Sequence, residues 1–177
     1  MKRKVVYCFI FFALNLILIQ VVKSQCNVNV KKTSEANCYE AAEENLFIYR
    51  GRNDNGDLGE GVYMVTGSLA YYIAPNGNKL WRLLIAVKTI YFRPLVPRSV
   101  TFTFSNSSRL TIVADNYKKI NGYDVCYYTV QETDISQFSN NINRLDINDT
   151  RQNINIGKAL EYSKVLSEQY DCIKKEI

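Results

Sequence analysis

The sequence predicts an α+β domain, a curved antiparallel β-sheet covered by a C-terminal amphipathic helix. Three observations lead there. Apolar and polar residues alternate with period two through most of residues 46–130, as they do in half-buried strands. Turn chemistry interrupts the alternation at Pro75-Asn76-Gly77, Asn106-Ser107-Ser108 and Asn121-Gly122. Near the C-terminus the apolar spacing changes to three and four residues, the period of a helix with one buried stripe.

Taken in order, residues 26–45 have weak periodicity. Within them, 36–45 predicts a short helix, because Glu40, Ala41, Ala42, Glu43 and Glu44 are tolerable to good helix formers. Strands are expected at 46–50 and 61–66 around a polar loop, then at 69–73 and 80–89 around the Pro75-Asn76-Gly77 turn. Trp81, Leu83, Ile85 and Val87 share one face of the last of these, which makes Trp81 a core residue. Val100, Phe102 and Phe104 alternate with Thr101, Thr103 and Ser105, and residues 109–114 return beside them. Residues 123–130 place Val125 and Tyr127 on one face and Cys126, Tyr128 and Val130 on the other. Thr133 caps a short helical turn carrying Ile135 and Phe138. A further hairpin is expected across 148–151, and a closing helix at 158–175 with Ala159, Tyr162, Leu166, Tyr170 and Ile173 in its stripe.

The first 24 residues predict a secretory signal. Lys2, Arg3 and Lys4 precede an apolar run over 5–19 broken only by Asn15, and Val22 and Ser24 suit a peptidase at −3 and −1. Cleavage leaves Gln25 first and one domain at 25–177, with no span left to hold it in a membrane. Retention as an anchor helix is the competing expectation, with Asn15 and Gln20 set against it. The expected location is therefore secreted or periplasmic.

Export changes both charge and cysteine chemistry. The formal +5 includes four basic residues of the leader; eighteen basic and seventeen acidic residues remain, a net +1. That balance gives no electrostatic ground for a nucleic-acid or anionic-membrane partner. Cys26, Cys38, Cys126 and Cys172 remain, and an exported chain is expected to pair them as two disulfides. The favoured connectivity is Cys26 with Cys38 and Cys126 with Cys172. Wide cysteine spacing and the lack of histidine argue against zinc, and no cofactor is implied.

The last third carries Ile142 to Ile147, then Asn153 to Ile156, then Ala159 to Ile173 with Cys172-Ile173. This layout resembles that of uncharacterised secreted proteins of Gram-negative bacteria, in which two strands and a final helix end in Cys-Ile or Cys-Leu. The resemblance implies export and no activity.

Without histidine, Ser-His-Asp and Cys-His catalysis are excluded. A carboxylate pair drawn from Glu40, Glu43, Glu44, Asp54, Asp57 and Glu60 remains formally open, although most such residues read as solvated surface. Residues 50–61 place Asn53, Asn55 and Asp57 at alternate positions like calcium ligands. Leu58 and Met64 stand where an EF-hand needs glycine and glutamate, so a glycine-rich hairpin loop is the better account. Thirteen tyrosines raise an aromatic binding platform beside ordinary packing. Asn106-Ser107-Ser108 and Asn148-Asp149-Thr150 match the N-glycosylation pattern, and both read as turns; they matter only in a eukaryotic host. The expected function is a non-enzymatic exported binding module for a protein, peptide or glycan. The alternative is an exported hydrolase using a carboxylate pair.

Overall fold

The computed structural model describes residues 27–32, 36–52, 60–149, 151, 154–159 and 163–177. The leader, its cleavage point and the proposed calcium ligands lie outside them. In chain order the elements are β1 (Val28–Lys32), β2 (Asn37–Ala41), β3 (Glu44–Arg52), β4 (Glu60–Ile73), β5 (Lys79–Ile90), β6 (Ser99–Phe104), β7 (Arg109–Val113), β8 (Asn116–Ile120) and β9 (Tyr123–Val130). Helix α1 (Glu132–Ile135) runs into a 3-10 turn, Ser136–Ser139. Then follow β10 (Ile142–Asp149), β11 (Ile154–Ala159) and helix α2 (Val165–Glu176).

The α+β class holds: antiparallel strands dominate and a helix closes the chain. The strands divide between two sheets rather than one. The larger runs β1-β2-β4-β5-β9-β8 with β3 beside β4, and the smaller runs β11-β10-β6-β7. The division falls where the chain leaves β5. Tyr91 turns it with φ at 57°, and Pro94 and Pro97 follow, whose nitrogens carry no hydrogen for a ladder. Leu95 and Val96 are buried on the way to the second sheet.

Period-two alternation explains the core. Trp81, Leu83, Ile85 and Val87 of β5, with Cys126, Tyr128 and Val130 of β9, join Val100, Phe102 and Phe104 of β6 and Leu145 and Ile147 of β10 in one buried cluster. Each large apolar side chain contributes about 1.5–3 kcal/mol on leaving water. Phe138 meets Phe102 and Phe104 edge-on at 5.2 and 5.5 Å, which fastens the 3-10 turn to β6. Trp81 is in the core, against Tyr71 at 4.8 Å and Tyr170 of α2 at 5.4 Å.

Several expectations are corrected. Residues 36–45 form no helix. Residues 37–41 are β2, held between β1 and β4, so tertiary pairing overrides the local preference of its alanines and glutamates. The pieces at 61–66 and 69–73 are one strand, β4. Helix α2 begins at Val165, because the chain through Ala159 pairs with β10 as β11. Gln131 rather than Thr133 stands at the cap of α1, and Ile135 and Phe138 are buried as expected.

Candidate binding groove

The outer face of the large sheet, opposite the core, carries a depression. Register builds it. Asn45, Thr66, Ala86, Val125 and Lys118 lie in one row across five strands. Ser68, Leu84, Tyr127 and Asn116 form the row on one side, and Met64, Lys88, Tyr123 and Ile120 the row on the other. Residues two apart on a strand share a face, so these three rows are neighbours on one surface. The middle row has short side chains at Thr66, Ala86 and Val125, whereas both flanking rows rise to tyrosine on β9. A short row between tall ones is a groove.

Its volume is about 670 Å3, within the range of small-molecule sites. Leu84, Ala86 and Val125 supply an apolar floor. Tyr123 and Tyr127, both half-buried, stand about 13 Å apart along β9 with Val125 between them. Glu43, Glu44 and Asn45 come in from the corner between β2 and β3, Ile120 and Asn121 from the β8–β9 turn, and Val165 from the start of α2. The Thr66 hydroxyl donates to the Glu43 carboxylate and fixes that corner against β4. The Lys88 ammonium lies 5.6 Å from the Tyr123 ring centroid. The groove thus joins aromatic rings, amides and carboxylates over a small apolar floor. No family model, curated protein or solved structure matches this chain.

Behind the floor, β9 turns a different set of groups inward. Burial pushes the Cys126 thiol up to about 12, against the opposing pull of Arg98. The Tyr117 hydroxyl donates to Asp124 at 2.7 Å, and that bond, with burial, raises it to about 12. Burial holds Tyr128 well above the ordinary value, and its hydroxyl donates to the Pro97 carbonyl. Asp149, almost fully buried, accepts the Val96 and Arg151 backbone N–H groups at 3.1 Å each and lies 3.5 Å from Arg98 Nε. These bonds fix residues 96–98 and leave the groove to the opposite face.

Of the carboxylates singled out in the sequence, the groove gathers Glu43 and Glu44. Glu40 stands on β2 in an exposed ion pair with Lys31 at 3.5 Å, while Asp54, Asp57 and the side chain of Glu60 lie outside the described residues. The tyrosine pairs divide as expected. Tyr71 and Tyr128 are buried, whereas Tyr127 faces the groove and Tyr72 lies under the Arg82 guanidinium at 5.4 Å. Asn106 is exposed in a turn, where its side-chain oxygen accepts the Ser108 N–H at 3.0 Å and the Ser108 hydroxyl at 2.7 Å. Asn148 is not in a turn. It is half-buried within β10, opposite Ser99 on one side and Asn155 on the other.

The favoured cysteine connectivity is overturned. Cys38 and Cys126 carry free thiols, whereas Cys172 is disulfide-bonded. Cys126 sits on β9, while α2 packs chiefly against β2, β4 and the 3-10 turn, toward the other end of the sheet. Cys38 lies opposite Lys31 of β1 and Tyr72 of β4, and the Tyr72 hydroxyl, raised to about 12 by burial and by its bond to Cys38, is its polar neighbour. Cys26 lies outside the described residues. Sequence reasoning missed Glu43, Asn45, Thr66 and Ala86 as one surface; the trace it left is the small residues Thr66, Ser68 and Ala70 at alternate positions on β4.

Proposed function

We propose that the mature chain is an exported, non-enzymatic binding module that takes a glycan on the outer face of its large sheet. In this reading that sheet is curved, α2 covers part of its inner face, and the groove is the working surface. The observation that supports it most is the row Thr66–Ala86–Val125 sunk between Tyr123 and Tyr127. A sugar ring has an apolar C–H face and a rim of hydroxyls. The tyrosine rings suit the first. Asn45, Asn121, Glu43 and Glu44 suit the second, since a carboxylate accepts and an amide both donates and accepts. Export is supported by the leader-like residues 1–24 and by the resemblance of the last third to secreted Gram-negative proteins.

The test is to probe secreted protein against an array of neutral oligosaccharides and titrate the best binder by calorimetry. Tyr127→Ala is expected to weaken it at least tenfold, while Tyr91→Ala, on an exposed ring away from the groove, leaves it unchanged. Absence of any glycan binding, or capture of a peptide or protein through the groove instead, would overturn the glycan assignment. Turnover of the bound oligosaccharide that Glu44→Gln abolishes would replace the non-enzymatic reading with the hydrolase.

A further inference from the structure

We infer that Cys172 is joined to Cys26, so that a single disulfide ties the start of the mature chain to its C-terminal helix. The chain has five cysteines. Cys172 is disulfide-bonded, and Cys38 and Cys126 are free. Its partner is therefore Cys8 or Cys26, and Cys8 belongs to the segment that cleavage after Ser24 removes.

Hydrogen bonds point the same way. The Gln169 side-chain amide donates to the Ala42 carbonyl at 2.9 Å, and the Ala42 N–H donates to the Asn27 carbonyl at 3.3 Å. That chain of contacts runs from α2 to the residue next to Cys26. Cys172 lies three residues beyond Gln169, on the same helix face and about 4.5 Å further along the axis. Both Gln169 and Cys172 are buried, so the thiol side of α2 faces the strands that Asn27 leads into.

In the bond-forming step each thiol loses a proton and the two sulfurs join. The two electrons and two protons pass to a disulfide-bearing oxidoreductase or small disulfide, whose S–S bond breaks to give two thiols. Such oxidants act in the periplasm and the secretory pathway. Cys126 stays reduced because it is sealed within the core, and Cys38 because neither paired strand offers it a cysteine.

The experiment uses the full chain, secreted and alkylated without reduction, then digested and mapped. The expected result is one linked peptide pair containing Cys26 and Cys172, with Cys38 and Cys126 both alkylated once the protein is unfolded. Alkylated Cys26, a link from Cys172 to Cys38 or Cys126, or a link to Cys8 in an uncleaved chain would each overturn the assignment. Cys26→Ser and Cys172→Ser should each lower Tm by roughly 10 °C, and the double variant should fall no further than either single one. Additive losses would contradict the bond.

Discussion

Gln169 repairs a gap beside Leu69 in the large sheet. β4 pairs with β3 as far as Gly67 and with β2 from Ala70 onward, and the corner between β2 and β3 leaves the stretch between them without a strand partner on that side. The Gln169 side-chain carbonyl accepts the buried Leu69 N–H at 3.0 Å, and its amide donates to the Ala42 carbonyl at 2.9 Å. One side chain from α2 thus stands in for a missing piece of ladder. Gln169→Met keeps the volume and removes both bonds. It should cost about 2–4 kcal/mol, since buried backbone groups are left unpaired. Urea unfolding checks this, and a loss below 0.5 kcal/mol, the usual surface value, would contradict it.

That gap marks where the sequence stops being legible. Strands β5, β6 and β9 are readable because apolar residues recur at every second position on the face that enters the core. Strand β8 was not, because all five of its residues are exposed at the sheet edge and carry no alternation. Strand β2 was missed because its partners Tyr71 and Tyr72 lie more than thirty residues away and outweigh the helical preference of Glu40 and Ala41. The helix start was misplaced because Ala159 fits both a helical stripe and a strand; only pairing with Arg144 decides between them. The groove was illegible for a related reason. Val125 and Tyr127 were correctly placed on one face, but Thr66, Ala86 and the 43–45 corner join them only through register.

Close packing at Gly61 gives a second prediction. A Cβ there would sit 2.6 Å from the Phe92 ring, which stacks on Tyr63 at 4.7 Å. Gly61→Ala should push Phe92 off its seat and cost about 1–3 kcal/mol. Phe92→Leu in the same background should recover part of that loss. Equal stability of Gly61→Ala and wild type would show that the ring does not lie on β4.

Helix α2 is tested by contrast within two positions. Leu166 is buried and Glu168 exposed. Leu166→Asp should cost several kcal/mol through lost burial and an unpaired buried charge, whereas Glu168→Ala should change stability by less than about 0.5 kcal/mol. Comparable melting shifts for the two would mean that the wrong face of the helix is packed.

Alkaline pH should unfold the protein in a defined window. Tyr72, Tyr117 and Cys126 are raised to about 12 from ordinary values of 10, 10 and 9, and Tyr128 is raised as well. Each group holds its proton more tightly when folded. Their stabilising effect is therefore complete below the unfolded values and is lost as pH rises from about 9 toward 12. The urea midpoint should stay level to about pH 8.5 and then fall, and Tyr128→Phe should make the fall shallower. A midpoint that is flat through pH 11, or that falls identically in Tyr128→Phe, would show that these groups are not shielded.

The binding reading is tested most directly by two-dimensional NMR of the labelled mature chain, titrated with neutral chito- and cello-oligosaccharides. Saturable shifts are expected, confined to the groove at Asn45, Ala86, Tyr123, Val125 and Tyr127, with β7 and the Asn106 turn unmoved. Shifts centred on any other surface, or no saturable shift with any oligosaccharide, would contradict it.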